Sequence, residues 1–309
     1  MHSSGLLILN KPHGMASFKA LQLLKRRFRW KKMGHAGTLD PLATGVLPIC
    51  IGKATRLVPY LMERQKKYEA LIRLGIETQT QDREGEITGV YSATEFPSPD
   101  KIEIVLKRFR GQIEQIPPMY SALRCQGRRL YELAREGKDI PRKPRCIQIH
   151  KLTCISYRYP FLSIDVTCGK GTYIRTLASD IGRDLGTGGH LWELKRTGVG
   201  EHNIDDALAW DKVMAMGREE IEKHIIPAGE ILSFLPTVKV GHREREAMSN
   251  GRTFTLTSPC NEFPLDETSI LRIHDREGEF LGLGGVVGSN ADGIETEVHI
   301  KPSLVMIPA

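Results

Sequence analysis

In Tyr68-Glu-Ala-Leu-Ile-Arg-Leu74 every second side chain is apolar, so Tyr68, Ala70, Ile72 and Leu74 share one side of an extended chain. The same period returns from Leu162 to Cys168, where Ser163, Asp165 and Thr167 alternate with apolar residues. Successive side chains of a strand point to opposite faces, so a repeat of two demands a sheet covered on one side only, the habit of antiparallel pairing. Leu6-Leu7-Ile8-Leu9 is uninterrupted and predicts a buried strand. Between such strands lie helical spacings. Ser17 reads as the cap of a helix carrying Phe18, Leu21, Leu24 and Phe28. Ser98-Pro99 opens a second helix with Ile102, Val105, Leu106 and Phe109, ended by Gly111. Further helices are expected from Ile174 to Leu185 and from Arg218 to His224. The fold class is therefore α+β, a mixed and largely antiparallel sheet flanked by helices.

A chain of 309 residues accommodates one large unit and one small one. Leu235-Pro236 marks the expected linker between residues 1–235 and 236–309; the second part carries short apolar alternations, many glycines and no long helical pattern, as in a small β-rich module. Within the first part, residues 116–145 change texture. Pro117-Pro118, Tyr120 and Tyr131 are interleaved there with Arg124, Arg128, Arg129, Arg135, Lys138, Arg142, Lys143 and Arg145, opposed only by Glu132, Glu136 and Asp139. This insertion reads as a basic lid over a nucleic acid, or as a solvated excursion.

The start Met1-His2-Ser3-Ser4 is polar and no apolar run approaches the roughly 18 residues a membrane span needs. A cytoplasmic protein without signal peptide or membrane segment is expected. Six cysteines, at 50, 125, 146, 154, 168 and 260, form no Cys-x-x-Cys pair and no His/Cys cluster at zinc spacing, so reduced thiols and no metal site are expected.

The formal charge is +7, which favours a polyanionic partner and equally fits an ordinary basic protein. Its placement says more. No Asp or Glu occurs before Asp40, whereas Lys11, Lys19, Lys25, Arg26, Arg27, Arg29, Lys31 and Lys32 all do. Gly34 to Gly45 holds three glycines besides Asp40-Pro41 and predicts a tight loop delivering Asp40 ahead of a strand from Val46 to Ile51. By residue type alone, an Asp-Pro in such a loop is more often a turn or helix cap than a catalyst.

The segment Gly34-His-Ala-Gly-Thr-Leu-Asp-Pro-Leu-Ala-Thr-Gly-Val-Leu47 resembles the catalytic motif of the TruB family of tRNA pseudouridine synthases. Asn10-Lys11-Pro12-x-Gly14-x-x-Ser17 is similar to the family's first motif, and Lys67-Tyr68 with Leu74-Gly75 to its tyrosine strand. Gly169-Lys-Gly-Thr-Tyr-Ile-Arg-Thr176 is similar to its arginine motif and Leu194-Lys195-Arg196-Thr197 to its leucine motif, with Lys195 where the family often has arginine. The motifs occur in family order between about Leu6 and Gly200.

The resemblance implies a pseudouridine synthase-like sheet with a PUA-like RNA-binding module after it, in which Arg272, His274 and Lys301 are basic candidates. It implies isomerisation of uridine 55 in the T loop of tRNA, with no cofactor and no metal. Asp40 is implied as nucleophile or base, Arg175 as its ionic partner and Tyr68 as a catalytic ring that stacks on the target base or also moves a proton. His35 is implied to fill the place the everted base leaves, not to move a proton. Tyr173 and Leu194 are implied at the base pocket, Lys11 in substrate binding or in holding its motif, and Arg128 and Arg129 on phosphates. The partner is then the T stem-loop of tRNA, with a monomer needing no other protein. Two rivals fit the same residues: a non-catalytic tRNA chaperone and a guide-dependent synthase.

Overall fold

The computed structural model describes residues 4–91, 96–259, 269–291 and 295–307. Met1 to Ser3 and Cys260 lie outside them. Strands β1 (Gly5–Lys11), β2 (Met33–His35), β3 (Thr44–Ile51) and β4 (Lys66–Leu74) and helix α1 (Ser17–Phe28) make up the first part of the chain. Helix α2 (Pro99–Arg108), β5 (Gly111–Gln115), β6 (Arg145–Arg158), β7 (Phe161–Cys168), α3 (Ile174–Asp184) and β8 (Gly189–Val199) follow. They join one mixed sheet in the order β1-β3-β8-β4-β7-β6-β5, extended past β1 by Leu208–Ala209. Pairing is antiparallel except β8 with β3 and β1 with Leu208–Ala209.

The period-two strands behave as their pattern requires. Tyr68, Ala70, Ile72 and Leu74 of β4, with Leu162, Ile164 and Val166 of β7, face a core beneath α1, α2 and α3. In β1, Leu7 and Leu9 join that core while Leu6 and Ile8 point the other way, into a second cluster shared with Leu283, Leu304 and Met306 of the terminal module. Cover on both faces accounts for the uninterrupted apolar run. The helix at Ser98 is capped as expected, the serine oxygen accepting from the Lys101 amide. It ends at Arg108, and Gly111 instead begins β5 with φ 89°.

Three expectations need correction. Ser17 is not the cap of α1; Ala16 takes that position and the serine hydroxyl turns inward to a loop. Phe18 is 62% exposed, because Ala20, Leu24 and Phe28 form the buried stripe of this helix and residue 18 falls outside it. Nor is the Leu235-Pro236 junction a loose linker. Ile231 and Leu232 are buried beside it, and Arg272 donates to the carbonyls of Gly229, Ser233 and Leu235. That guanidinium is spent on joining the two parts and is not a free RNA contact.

The terminal module has its own five-stranded sheet and core. Its strands are β9 (Thr237–Val240), β10 (Phe254–Pro259), β11 (Ile270–Asp275), β12 (Phe280–Ala291) and β13 (Glu295–Val305). It also contains a helix the pattern did not reveal, α4 (His242–Ser249), which is so polar that only Met248 is buried.

Candidate active site

The Asp40 loop runs from β2 to β3 and is held from beneath by polar groups distant in sequence. Ser17 donates to the Leu39 carbonyl at 2.9 Å and accepts from its amide at 2.8 Å. Lys11, fully buried, donates to the carbonyls of Pro12 at 2.8 Å, Met15 at 2.6 Å and Pro41 at 3.4 Å. Its ammonium reaches no surface on which a substrate could lie, so Lys11 supports the loop; the substrate-binding alternative is corrected. Burial pushes Lys11 down to about 8, against the opposing pull of Asp40.

The glycines of the loop have a specific cause. Gly45 has φ 103°, and a Cβ on it would stand 2.2 Å from the Arg196 carbonyl oxygen, so β3 can approach β8 only through glycine. Gly37, with φ 102°, faces the Arg196 guanidinium.

Asp40 and Arg175, 135 positions apart, are brought together: Nε stands 2.9 Å from Oδ2. The carboxylate side chain is 38% exposed and the guanidinium 7%, so one end of the pair is open to an incoming molecule and the other is set in the protein. Arg175 is immobilised on its far side by the carbonyls of Thr80 at 3.1 Å and Tyr120 at 2.8 Å. A second carboxylate, that of Asp82, lies 3.7 Å from Nη1 and is nearly buried. Asp82 is oriented by the Thr80 hydroxyl and by the Glu84 amide at 3.1 Å. Nothing in the residue order marks Asp82, since an acid in Thr80-Gln-Asp-Arg83 resembles any polar turn.

Tyr68 lies on β4 beside Arg196 of β8 and is 8% exposed. Burial raises its phenol above the ordinary tyrosine value, while the charge of the neighbouring Arg196 opposes that rise. The negative charge of Asp40 bears on both Tyr68 and Tyr173. Tyr173 immediately precedes α3, where the side-chain amide of Gln115 grips it twice: Oε1 accepts from the Tyr173 amide at 2.8 Å and Nε2 donates to its carbonyl at 3.1 Å. Gln115 is buried and is a second residue that sequence reading passed over. Leu194, 8% exposed, lies on β8 two residues before Arg196.

His35 is half-buried on β2, and its Nδ1 has no hydrogen-bond partner among the described residues. Burial and then the charge of Arg196 lower its pKa, so the imidazole is neutral at neutral pH. No group of three His, Cys, Asp or Glu that could hold a metal ion occurs among the described residues, and no described helix is long and apolar enough to cross a membrane.

The 116–145 insertion is partly structured, with paired Arg124–Cys125 and Arg128–Arg129 and a short helix Leu130–Arg135. Its charges are not all available. Arg128 holds both carboxylate oxygens of Glu136, with Lys138 on the same acid at 2.9 Å, and Arg142 pairs with Asp139 at 3.1 Å. Arg128 is therefore neutralised locally and is not a free phosphate ligand, whereas Arg129 is exposed with its guanidinium over the Tyr131 ring. Arg128 and Arg129, adjacent in sequence, thus differ in what they can offer an anion.

Comparison with known proteins gives consistent results. Residues 25–174 match the model described as TruB family pseudouridylate synthase (N terminal domain), and residues 175–233 that of the tRNA pseudouridylate synthase B C-terminal domain. The chain is 43% identical over 283 residues to a protein of Clostridium kluyveri named tRNA pseudouridine synthase B, covering 91% of this chain and 94% of that one. To the protein of the same name in Nitrosospira multiformis it is 42% identical, covering 97% and 95%. Among solved structures, an H/ACA RNP bound to a substrate RNA containing 2'-deoxyuridine superposes with TM-score 0.73 at 24% identity, over 98% of this chain and 85% of that one. A Cbf5-Nop10-Gar1 complex gives 0.69 at 26%, with the same coverage. The terminal sheet, from Thr237 onward, lies beyond both family-model matches.

Proposed function

Because the chain belongs to the TruB family of pseudouridylate synthases, we propose that it isomerises a uridine of tRNA, that at position 55 of the T loop, to pseudouridine. The reaction breaks the bond from C1′ to N1, turns the uracil and joins C1′ to C5. Every atom of the nucleotide is retained and no net oxidation occurs, so no redox cofactor is called for. What it does require is an ionised, oriented carboxylate that can attack or remove a proton.

The observation that carries this reading is the Asp40–Arg175 pair, a half-open carboxylate held at 2.9 Å by a buried guanidinium. The planar fork of Arg175 keeps the carboxylate aimed after substrate has displaced water. Its other donors are occupied by Thr80, Tyr120 and Asp82, so it cannot swing away. In the proposed complex, Tyr68 presents its ring to the uracil, Tyr173 and Leu194 border the base, and the neutral imidazole of His35 fills the vacancy in the stacked loop. An uncharged filler suits that place, since the space is bounded by bases and not by phosphates. Arg129 and the basic end of α1, through Lys25 and Arg26, are proposed to lie on RNA phosphates, whereas Arg27 is bound to the Met214 and Met216 carbonyls. The terminal sheet is proposed as a PUA-like module gripping tRNA beyond the loop. We further propose a cytoplasmic monomer acting without another protein.

The test is direct. Purified protein, incubated alone with an unmodified tRNA transcript, is expected to place pseudouridine at position 55. Asp40→Ala is expected to abolish turnover while tRNA affinity stays within about tenfold, about 1.4 kcal/mol. Binding without any conversion would favour a tRNA chaperone, and conversion only after a guide RNA is added would favour a ribonucleoprotein enzyme. Substantial pseudouridine from Asp40→Ala would refute the role of that residue.

A further inference from the structure

Arg196 is among the largest of the fully buried side chains, 1% exposed. A guanidinium does not give up its proton in a protein, so the group is buried as a cation. Such burial is costly unless the charge is met by an anion or by well-placed dipoles. Among the described residues no carboxylate pairs with it. Its donors go to neutral oxygens, Nε to the Val46 carbonyl at 2.7 Å and Nη2 to the Gly37 carbonyl at 3.0 Å, and its cross-strand neighbour on β4 is Tyr68.

These acceptors have a common geometry. Gly37 precedes Asp40 in its loop and Val46 follows it, so the guanidinium holds the loop at both ends. Tyr68 comes from the opposite side. In register, Arg196 of β8 stands between Gly45 of β3 and Tyr68 of β4, the position at which β8 joins these two strands. Gly37 and Gly45 both adopt positive φ: a Cβ on Gly37 would stand 3.3 Å from Nη1 of Arg196, and one on Gly45 would strike the Arg196 backbone, so the loop lies tight against this residue at both ends.

We propose that Arg196 is a positioning residue for the isomerisation: it ties the phenol of Tyr68 to both ends of the Asp40 loop and so sets the gap into which the uracil ring must fit. This rests on the roles given above to Asp40 and Tyr68. Lysine, a point charge on a flexible stem, cannot reproduce a rigid fork that holds the Val46 and Gly37 carbonyls at once while standing beside Tyr68. The same buried charge also helps hold His35 in its neutral form, the form suited to filling a stack.

The experiment uses the full chain and a tRNA transcript, with four proteins: wild type, Arg196→Lys, Tyr68→Phe and the double variant. Single-turnover rates at saturating enzyme, tRNA affinities and unfolding midpoints are measured for each. Arg196→Lys is expected to slow the reaction about a hundredfold, the scale of a reacting group misplaced by an ångström, with affinity changed less than about threefold. In the Tyr68→Phe background, where the hydroxyl is already gone, the same substitution is expected to cost far less, and the midpoints are expected to be non-additive as well. Equal rate factors in both backgrounds would make Arg196 a simple structural strut and overturn the proposal. If Arg196→Lys does not fold, Tyr68→Phe decides: it keeps the ring and loses the tie, so at least a tenfold slower reaction is expected, and a wild-type rate overturns the idea. A wild-type protein that makes no pseudouridine would instead sink the underlying reading, and this proposal with it.

Discussion

Ser17→Ala removes one oxygen from the interior next to the reacting loop. That hydroxyl is 1% exposed, donates to the Leu39 carbonyl at 2.9 Å and accepts from the Leu39 amide at 2.8 Å. Leu39 itself is 3% exposed, so water cannot replace either partner without a local opening. Each backbone group left unpaired costs about 1–3 kcal/mol. Two of them give roughly 2–6 kcal/mol, less whatever the loop recovers by shifting. For a unit of the size of residues 4–235, about 2–4 °C of melting temperature accompanies each kcal/mol, so a fall of at least about 4 °C is expected. The assay is thermal unfolding followed by tryptophan fluorescence, beside Ser249→Ala as control, whose hydroxyl serves only an exposed helix end at Glu246. Because Leu39 adjoins Asp40, the single-turnover rate is also expected to fall while tRNA affinity is kept. A midpoint within about 1 °C of wild type, with an unchanged rate, would refute the claim that Ser17 clamps the loop.

Asp82→Asn keeps the shape but removes the charge 3.7 Å from Arg175, so the guanidinium should drift and the single-turnover rate fall about a hundredfold; unaltered rates would show that Arg175 needs only its carbonyl partners. Burial pushes Lys66 from 10.5 down to about 8. Between those values the unfolded chain holds a proton that the folded one has released. Stability from this group therefore rises with pH across that window, by up to about 1.4 kcal/mol per unit, and is flat below it. The stability difference between wild type and Lys66→Met should show this rise in denaturant titrations from pH 7 to 10, and a constant difference would contradict it. Glu136→Gln should release Arg128 and steepen the salt dependence of tRNA binding, whereas Arg129→Gln should reduce its slope by about 0.7–0.9. The reverse ordering in salt titrations would place the phosphate contacts elsewhere.

Much of the scaffold was legible without coordinates, because the signals are local. The period-two runs at Tyr68 and Leu162, the Ser98-Pro99 start and the Gly34 to Gly45 loop each depend on neighbours within a few residues. Helix α4 was missed for the same reason: with only Met248 buried it carries no apolar period to read. The misreading of Ser17 is instructive, since serine before an apolar helix is a cap by local rules. Here Leu39, 22 residues away, offers it two bonds inside the core instead of one at a helix end.

Residue order alone determined the strands, the main helices, the glycine loop and the set of side chains available for chemistry. Only the tertiary structure decided that Asp40 meets Arg175, that Asp82 and Gln115 stand behind the working residues, and that Lys11 and Arg196 are supports with no route to solvent. The physical reason is that apolar burial follows a period written along the chain. A buried polar group, by contrast, takes its role from whichever donor or acceptor the fold brings to it from far away.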